Sequence, residues 1–222
     1  GRIDTSPSDV IIEYVHKEKL GLEWILETHA HADHLSAAAY LKSKTGARTG
    51  TGRHIVDVQQ TFKKIFNLGD EFVANGEAFD SLLDDDDRIP LGTMEIRVMH
   101  TPGHTPACLT YVVGDAAFVG DTLLMPDFGT ARVDFPGGDA ATLYRSIQRI
   151  FALPPATRLF MCHDYKAPDR DEYAWETTVE EESLHNIHIH HGISEQEFID
   201  FRHKRDADLG MPKLILPSIQ VN

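Results

Sequence analysis

His29-Ala30-His31-Ala32-Asp33-His34 places four metal-binding side chains within six residues. Three more candidates follow far along the chain: His104 at the end of His100-Thr-Pro-Gly-His104, Asp121 after Gly120, and His163 in Cys162-His163-Asp164. Imidazole and carboxylate together suit zinc, iron or manganese. Alternation along an extended turn sends some of the motif's side chains to one side and some to the other, so one segment can serve two adjacent metal positions. A lone histidine is ordinarily a surface or hydrogen-bonded residue. Four ligand types in one turn, joined by His104, Asp121 and His163, instead point to a metal centre. Residue types alone favour a two-metal hydrolase with a bridging water as nucleophile.

The elements that must position these residues can be read from periodicity and caps. Leu22 to Glu27 is a short apolar run, expected as a strand delivering the chain to His29. Leu35 to Ser43 reads as the helix that follows, so the motif occupies a strand-to-helix turn, where α/β sheets hold their sites. Met94, Ile96 and Val98 alternate with polar residues in a strand that runs toward His104. Cys108 to Val113 and Ala116 to Gly120 form a hairpin at Gly114-Asp115, ending at Asp121. Arg158 to Met161 is a strand that ends at His163. Four strands thus each lead to one ligand candidate, and strand ends on one sheet edge converge. Helices are expected over Ser6–Lys19, His54–Phe66, Asp139–Ala152, Trp175–Leu184 and Ser194–Asp208. The first has Ser6 as N-cap, Pro7 in the first turn, Asp9 completing a capping box, and Val10, Ile11, Tyr14 and Val15 as an apolar face. The last opens on a capping box of Ser194 and Glu197. Asp84 to Asp87 is an acidic turn between strands.

The chain has 222 residues, 41% apolar and 25% charged, enough for one domain with a sizeable core. The net charge of −14, from 21 basic and 35 acidic side chains, argues against nucleic acid as a main partner. No apolar run approaches the roughly 20 residues of a membrane span, and no secretory signal is visible. Cys108 and Cys162 form no CxxC pair and fit a reducing, cytoplasmic setting, where they are expected as small buried residues. The cluster His185, His188, His190 and His191 matches no ligand spacing and is expected at the surface or in packing.

Thr28-His-Ala-His-Ala-Asp-His34, His100-Thr-Pro-Gly-His-Thr105, Gly120-Asp121 and His163-Asp164, in that order, resemble the metallo-β-lactamase superfamily. The resemblance implies an α/β fold, an αββα sandwich with the metal site at one edge of two sheets. It implies one metal position at His29, His31, His104 and Asp121, and a second at Asp33, His34, His163 and the bridging Asp121. Gly129-Thr-Ala-Arg-Val-Asp-Phe135, Cys162-His-Asp-Tyr165 and Thr177-Thr-Val-Glu-Glu181 resemble the persulfide dioxygenase branch, which oxidises glutathione persulfide with O2 to sulfite and glutathione.

In that branch a single Fe(II) is held by two His and one Asp, matching His29, His104 and Asp121. Such a facial triad leaves positions open for persulfide and O2. Zinc has no accessible redox state for this. His31, Asp33, His34 and His163 would then form an outer shell that serves catalysis without binding iron. Tyr165 is a candidate for hydrogen bonding to the persulfide or oxygen. Arg132 is a candidate for a glutathione carboxylate, against a plain ion pair with Asp134, and Lys166 is a weaker substrate-binding candidate. Two zinc ions and a glyoxalase II-like thioesterase remain the alternative, and a non-catalytic persulfide- or metal-binding module is a third. A single domain over 1–222, short of superfamily strands at the N-terminus and of residues beyond the Leu216–Asn222 segment, is expected, with a homodimer as one possible assembly.

Overall fold

The structure, a computed structural model, describes residues 3–30 and 35–210. The expectations for His31, Asp33, His34 and Leu216–Asn222 therefore lie outside the described residues. In chain order the elements are α1 (Ser6–Lys17), β1 (Trp24–Leu26), α2 (Ala38–Thr45), β2 (Arg48–Gly52), α3 (Ile55–Ile65), β3 (Ser81–Leu83), β4 (Arg88–Leu91), β5 (Met94–His100), β6 (Leu109–Val113), β7 (Ala116–Phe118), α4 (Ala140–Phe151), β8 (Arg158–Phe160), β9 (Glu176–Thr178), α5 (Val179–His185) and α6 (Glu195–Ala207).

Among the described residues the strands form two sheets. The first has the order β1-β2-β3 and is parallel throughout; the second runs β4-β5-β6-β7-β8-β9. Leu83, Ile89, Ile96, Val98, Leu109 and Tyr111 fill the space between them, with Trp24 and Leu26 packed alongside. Helix α3 covers the first sheet through Ile55 and Val58. Helix α4 covers the second through Leu143, Ile147 and Ile150, which pack with Ala117 and Leu159 of β7 and β8 and with Phe198 of α6. The layers are thus helix, sheet, sheet, helix.

Strand direction explains why the ligand candidates meet. β5 is antiparallel to β6, and β6 to β7, so β5 and β7 run the same way; β8 is parallel to β7. The carboxyl ends of all three fall on one edge. Helix α4 makes the crossover from β7 to β8, and Asp139 caps it by accepting a hydrogen bond from the Thr142 amide at 2.7 Å.

Two local expectations change, and one strand was not anticipated. Helix α1 starts after Thr5, not Ser6, and the Thr5 side chain makes no cap bond; Asp4 Oδ1 accepts from the Ser6 amide at 3.0 Å. Its Asp9 instead accepts from Tyr40 Oη at 2.6 Å, tying α1 to α2. The anticipated apolar face is turned outward, with Val10 65% and Tyr14 59% exposed. The segment 175–184 is not one helix: Glu176–Thr178 pairs antiparallel with β8, and α5 begins only after Thr178, whose side chain accepts from the Glu181 amide. Pairing satisfies the outer edge of β8, and β-branched Thr177 and Thr178 suit a strand. Finally β2, Arg-Thr-Gly-Thr-Gly, is a buried central strand without the apolar alternation that announces one. The capping box at Ser194 and Glu197 forms as anticipated.

Candidate metal centre

The segment carrying His29 is fixed by bonds across the sheets. The Leu109 amide donates to the Thr28 carbonyl at 2.8 Å, and the buried Tyr111 hydroxyl donates to the Glu27 carbonyl at 2.8 Å. The loop carrying His104 is pinned to α4: Ser146 Oγ donates to the Pro102 carbonyl at 2.6 Å, and the Asp139 amide to the Gly103 carbonyl at 2.9 Å. Gly103 has φ +139°, and a Cβ there would sit 2.4 Å from Leu143 Cα. Only glycine allows this approach. Gly120 has φ +57°, and a Cβ would sit 2.8 Å from Thr28 Oγ1, so its absence lets Asp121 lie beside His29.

The result is a tight cluster. His29 Nε2 lies 3.5 Å and His104 Nε2 3.7 Å from Asp121 Oδ2, and the candidate ligand atoms of all three residues lie within 4.8 Å of one another. His163 Nε2 lies 3.7 Å from the other oxygen, Oδ1. These separations are long for hydrogen bonds and suit ligands of one ion, because two bonds of about 2.1 Å at tetrahedral or right angles place donors about 3–3.5 Å apart. Asp121 Oδ1 is buried with no hydrogen-bond partner among the described residues, another sign that the donor set fits a cation. Burial pushes the Asp121 carboxyl up, but His29, His104 and His163 around it outweigh this and hold it well below the usual carboxylate range.

Each imidazole is also oriented. Thr28 Oγ1 lies 3.0 Å from His29 Nδ1, and the Arg132 carbonyl lies 2.8 Å from His104 Nδ1. With Nδ1 protonated against these oxygens, Nε2 of both rings is left as the lone-pair donor.

The cluster opens into a pocket of about 360 Å³. Leu124, Phe128 and Phe135 make its walls apolar, Tyr165 stands at its side, and Arg132, Arg202 and Arg205 bring cationic groups. Tyr165 stacks on His163 at 5.7 Å and contacts Phe128 at 5.2 Å. Arg132 is at the pocket, but its guanidinium grips both oxygens of Asp134 at 2.6 Å and donates to the Gly210 carbonyl at 2.8 Å. Lys166 is not brought to the pocket; its ammonium lies over the Tyr173 ring at 4.4 Å.

His188, from the late cluster, also lines the pocket, with its Nδ1 accepting from the Thr130 amide at 3.0 Å. Burial, then Arg202 and Arg205, push this imidazole down to about 4, so it is neutral at pH 7. Neither His188 nor α6 carried a ligand-type spacing, so only tertiary placement reveals them. Cys108 is buried as expected, but Cys162 is exposed, with Sγ 3.9 Å from Thr28 Oγ1. Desolvation of the buried Cys108 sulfur pushes that thiol up to about 12, so it does not serve as a nucleophile at neutral pH.

Residues 3–163 match the model of the metallo-β-lactamase superfamily. The chain belongs to that superfamily, and its two packed sheets with flanking helices are the metallo-β-lactamase fold. It is 53% identical to a probable metallo-hydrolase of Burkholderia pseudomallei across all of this chain and 79% of that protein. It is 48% identical to glyoxylase B2 of Dictyostelium discoideum, across all of this chain and 76% of the relative. Human mitochondrial persulfide dioxygenase ETHE1 is 30% identical over 95% of this chain and 70% of its own length. The crystal structure of ETHE1 from Myxococcus xanthus superposes with a TM-score of 0.80 at 30% identity, covering 98% of this chain and 83% of that one. No helix among the described residues is long and apolar enough to cross a membrane.

Proposed function

We propose that this metal-binding enzyme is an iron-dependent persulfide dioxygenase, converting glutathione persulfide, O2 and water to glutathione and sulfite. The observation that carries it is the His29, His104 and Asp121 cluster, two histidines and one carboxylate converging beside an apolar pocket. The similarity to human persulfide dioxygenase supports it. One Fe(II) per chain at these residues would supply open coordination positions and redox electrons for O2 and the terminal sulfur.

The chain's own residues do the rest. Thr28 and the Arg132 carbonyl keep both imidazoles presenting Nε2. Leu124, Phe128 and Phe135 exclude water and suit the weakly hydrated sulfur of a persulfide. Tyr165, which lines the pocket, would donate its phenol hydrogen bond to the bound substrate. His163 faces the far oxygen of Asp121 at 3.7 Å. Arg132 braces the wall through Asp134, leaving Arg205 better placed to meet a substrate carboxylate, since no side-chain partner competes for it among the described residues.

A second activity, a two-metal thioesterase acting on glutathione thioesters, is favoured by one observation. Asp121 faces His29 and His104 with one oxygen and His163 with the other, as a carboxylate bridging two ions would. The likeness to a glyoxylase B2 is consistent with it. Metal analysis with an oxygen electrode separates the two. One iron per chain and O2 uptake with glutathione persulfide are expected. Two zinc ions, no O2 uptake and hydrolysis of S-lactoylglutathione would overturn the dioxygenase.

A further inference from the structure

We propose that Arg202 and Asp206 of α6 are positioning residues for His104, acting through the 129–133 loop. The proposal rests on His29, His104 and Asp121 holding a metal ion, but not on which reaction follows.

The link is a continuous set of hydrogen bonds. The His104 ring is held by the carbonyl of Arg132. That residue lies in a stretch with no ladder or helix partners, although Thr130, Ala131 and Val133 are all buried. Buried backbone without regular structure must find partners outside ladders and helices, side chains among them. Here α6 supplies them on both sides of Arg132. Upstream, Arg202 Nη1 donates to both the carbonyl and Oγ1 of Thr130 at 3.1 Å. Downstream, Asp206 Oδ2 accepts from the Val133 amide at 2.9 Å. The two side chains lock each other, with Arg202 Nε and Nη2 donating to Asp206 Oδ1 at 3.1 and 2.7 Å. Both are buried, at 1% and 4% exposure, so no solvent competes for these bonds. His188 holds the Thr130 amide and Asn186 Nδ2 donates to the Gly129 carbonyl at 3.0 Å, completing the clamp.

A buried arginine–aspartate pair adds little to stability over an apolar pair of similar size. Its cost is offset by what it specifies: the position of one carbonyl. The tautomer and rotation of an imidazole ligand follow from the hydrogen bond on its other nitrogen. His29 provides an internal control, since its Nδ1 partner, Thr28, is its own chain neighbour and owes nothing to α6.

The test uses Co(II) as a spectroscopic probe of the purified chain. The variant Arg202→Met with Asp206→Leu replaces the pair by apolar residues; it leaves the Thr130 carbonyl and the Val133 amide without these partners, so it is expected to fold with a lowered melting temperature. Its Co(II) affinity, titrated by visible absorption, is expected to fall about 10-fold or more. In the Co(II)-loaded protein, the shifted N–H proton of His104 is expected to exchange faster with water, while that of His29 stays unchanged. A purely structural role would leave both protons and the affinity unchanged in a folded variant, and that result would overturn the proposal. Should the double variant not fold, Asp206→Asn, which preserves size, carries the same expectation: weaker binding and faster exchange at His104 alone. Unsubstituted affinity and exchange there would refute it. Failure of the unsubstituted chain to bind Co(II) would instead sink the metal centre itself.

Discussion

Asp121 is held well below the usual carboxylate range although burial pushes it up, because His29, His104 and His163 face it. Replacing it by Ala removes a carboxylate that lies close to both His29 and His104. Metal binding and O2 uptake are expected to fall to background, and a variant that still bound stoichiometric metal would contradict the ligand assignment. Gly120 gives a second expectation. An alanine there meets a positive φ costing about 1–2 kcal/mol and a contact with Thr28 Oγ1 at 2.8 Å. Gly120→Ala should therefore destabilise the chain by about 2 kcal/mol in urea unfolding and weaken metal binding through the displaced Thr28–His29 pair. An unchanged urea midpoint would show that the turn relaxes freely. The types and order of His29, His104, Asp121 and His163 were legible in the sequence, since few other arrangements leave a ligand after each of four strands. Arg132 was legible as a motif residue, but not its commitment to Asp134, because an ion pair two residues away and a substrate carboxylate ask for the same side chain.

Helices α1 and α4 show how far periodicity carries at the level of elements. Both have apolar residues at helical spacing, yet only α4 buries them: Leu143, Ile147 and Ile150 are all at 0% exposure, whereas Val10 of α1 is 65% exposed. Ile147→Ala should cost about 2–5 kcal/mol, and Val10→Ser less than about 0.5 kcal/mol, in the same denaturation experiment. Comparable losses would mean that α1 is packed in solution. A helical stripe states that one face is apolar, not that a partner is present to cover it. In β2 the signal failed the other way, since a central parallel strand buried on both faces needs no alternation, and Arg-Thr-Gly-Thr-Gly offers none. β9 was hidden because its value lies in covering the edge of β8, a non-local requirement.

Two buried groups give the whole molecule an unusual dependence of stability on pH. His188 has a folded value of about 4 against an ordinary 6.5, because burial and then Arg202 and Arg205 disfavour its cation. The unfolded chain then binds the extra proton, so this contribution is present above pH 6.5 and is lost as pH falls toward 4. Glu182 is the reverse. Burial raises its carboxyl to about 8 from an ordinary 4.5, outweighing the Asn186 hydrogen bond, so the folded chain holds the extra proton. Its contribution is present below pH 4.5 and is lost as pH rises to 8. The two slopes oppose one another between 4.5 and 6.5, and Glu182 acts alone above that. Glu182→Gln, which retains an acceptor for Asn186 Nδ2 at the 2.6 Å contact, should raise the melting temperature at pH 8 and flatten its decline from pH 6.5 to 8. A decline as steep as in the unsubstituted chain would assign the slope to other groups.

The sequence by itself determined the identity of the central ligand candidates, because ligand chemistry demands particular side chains, and through its resemblance to the superfamily it implied the two-sheet architecture. It also held open one metal or two. Only the tertiary structure decided which late residues pack against the 129–133 loop beside the centre. Arg202, Asp206 and His188 carry no ligand spacing, and they matter because the loop beneath them has buried backbone that something must bond. Hydrogen-bond demand of this kind arises where distant segments meet, so local sequence records the donors and acceptors without recording their partners.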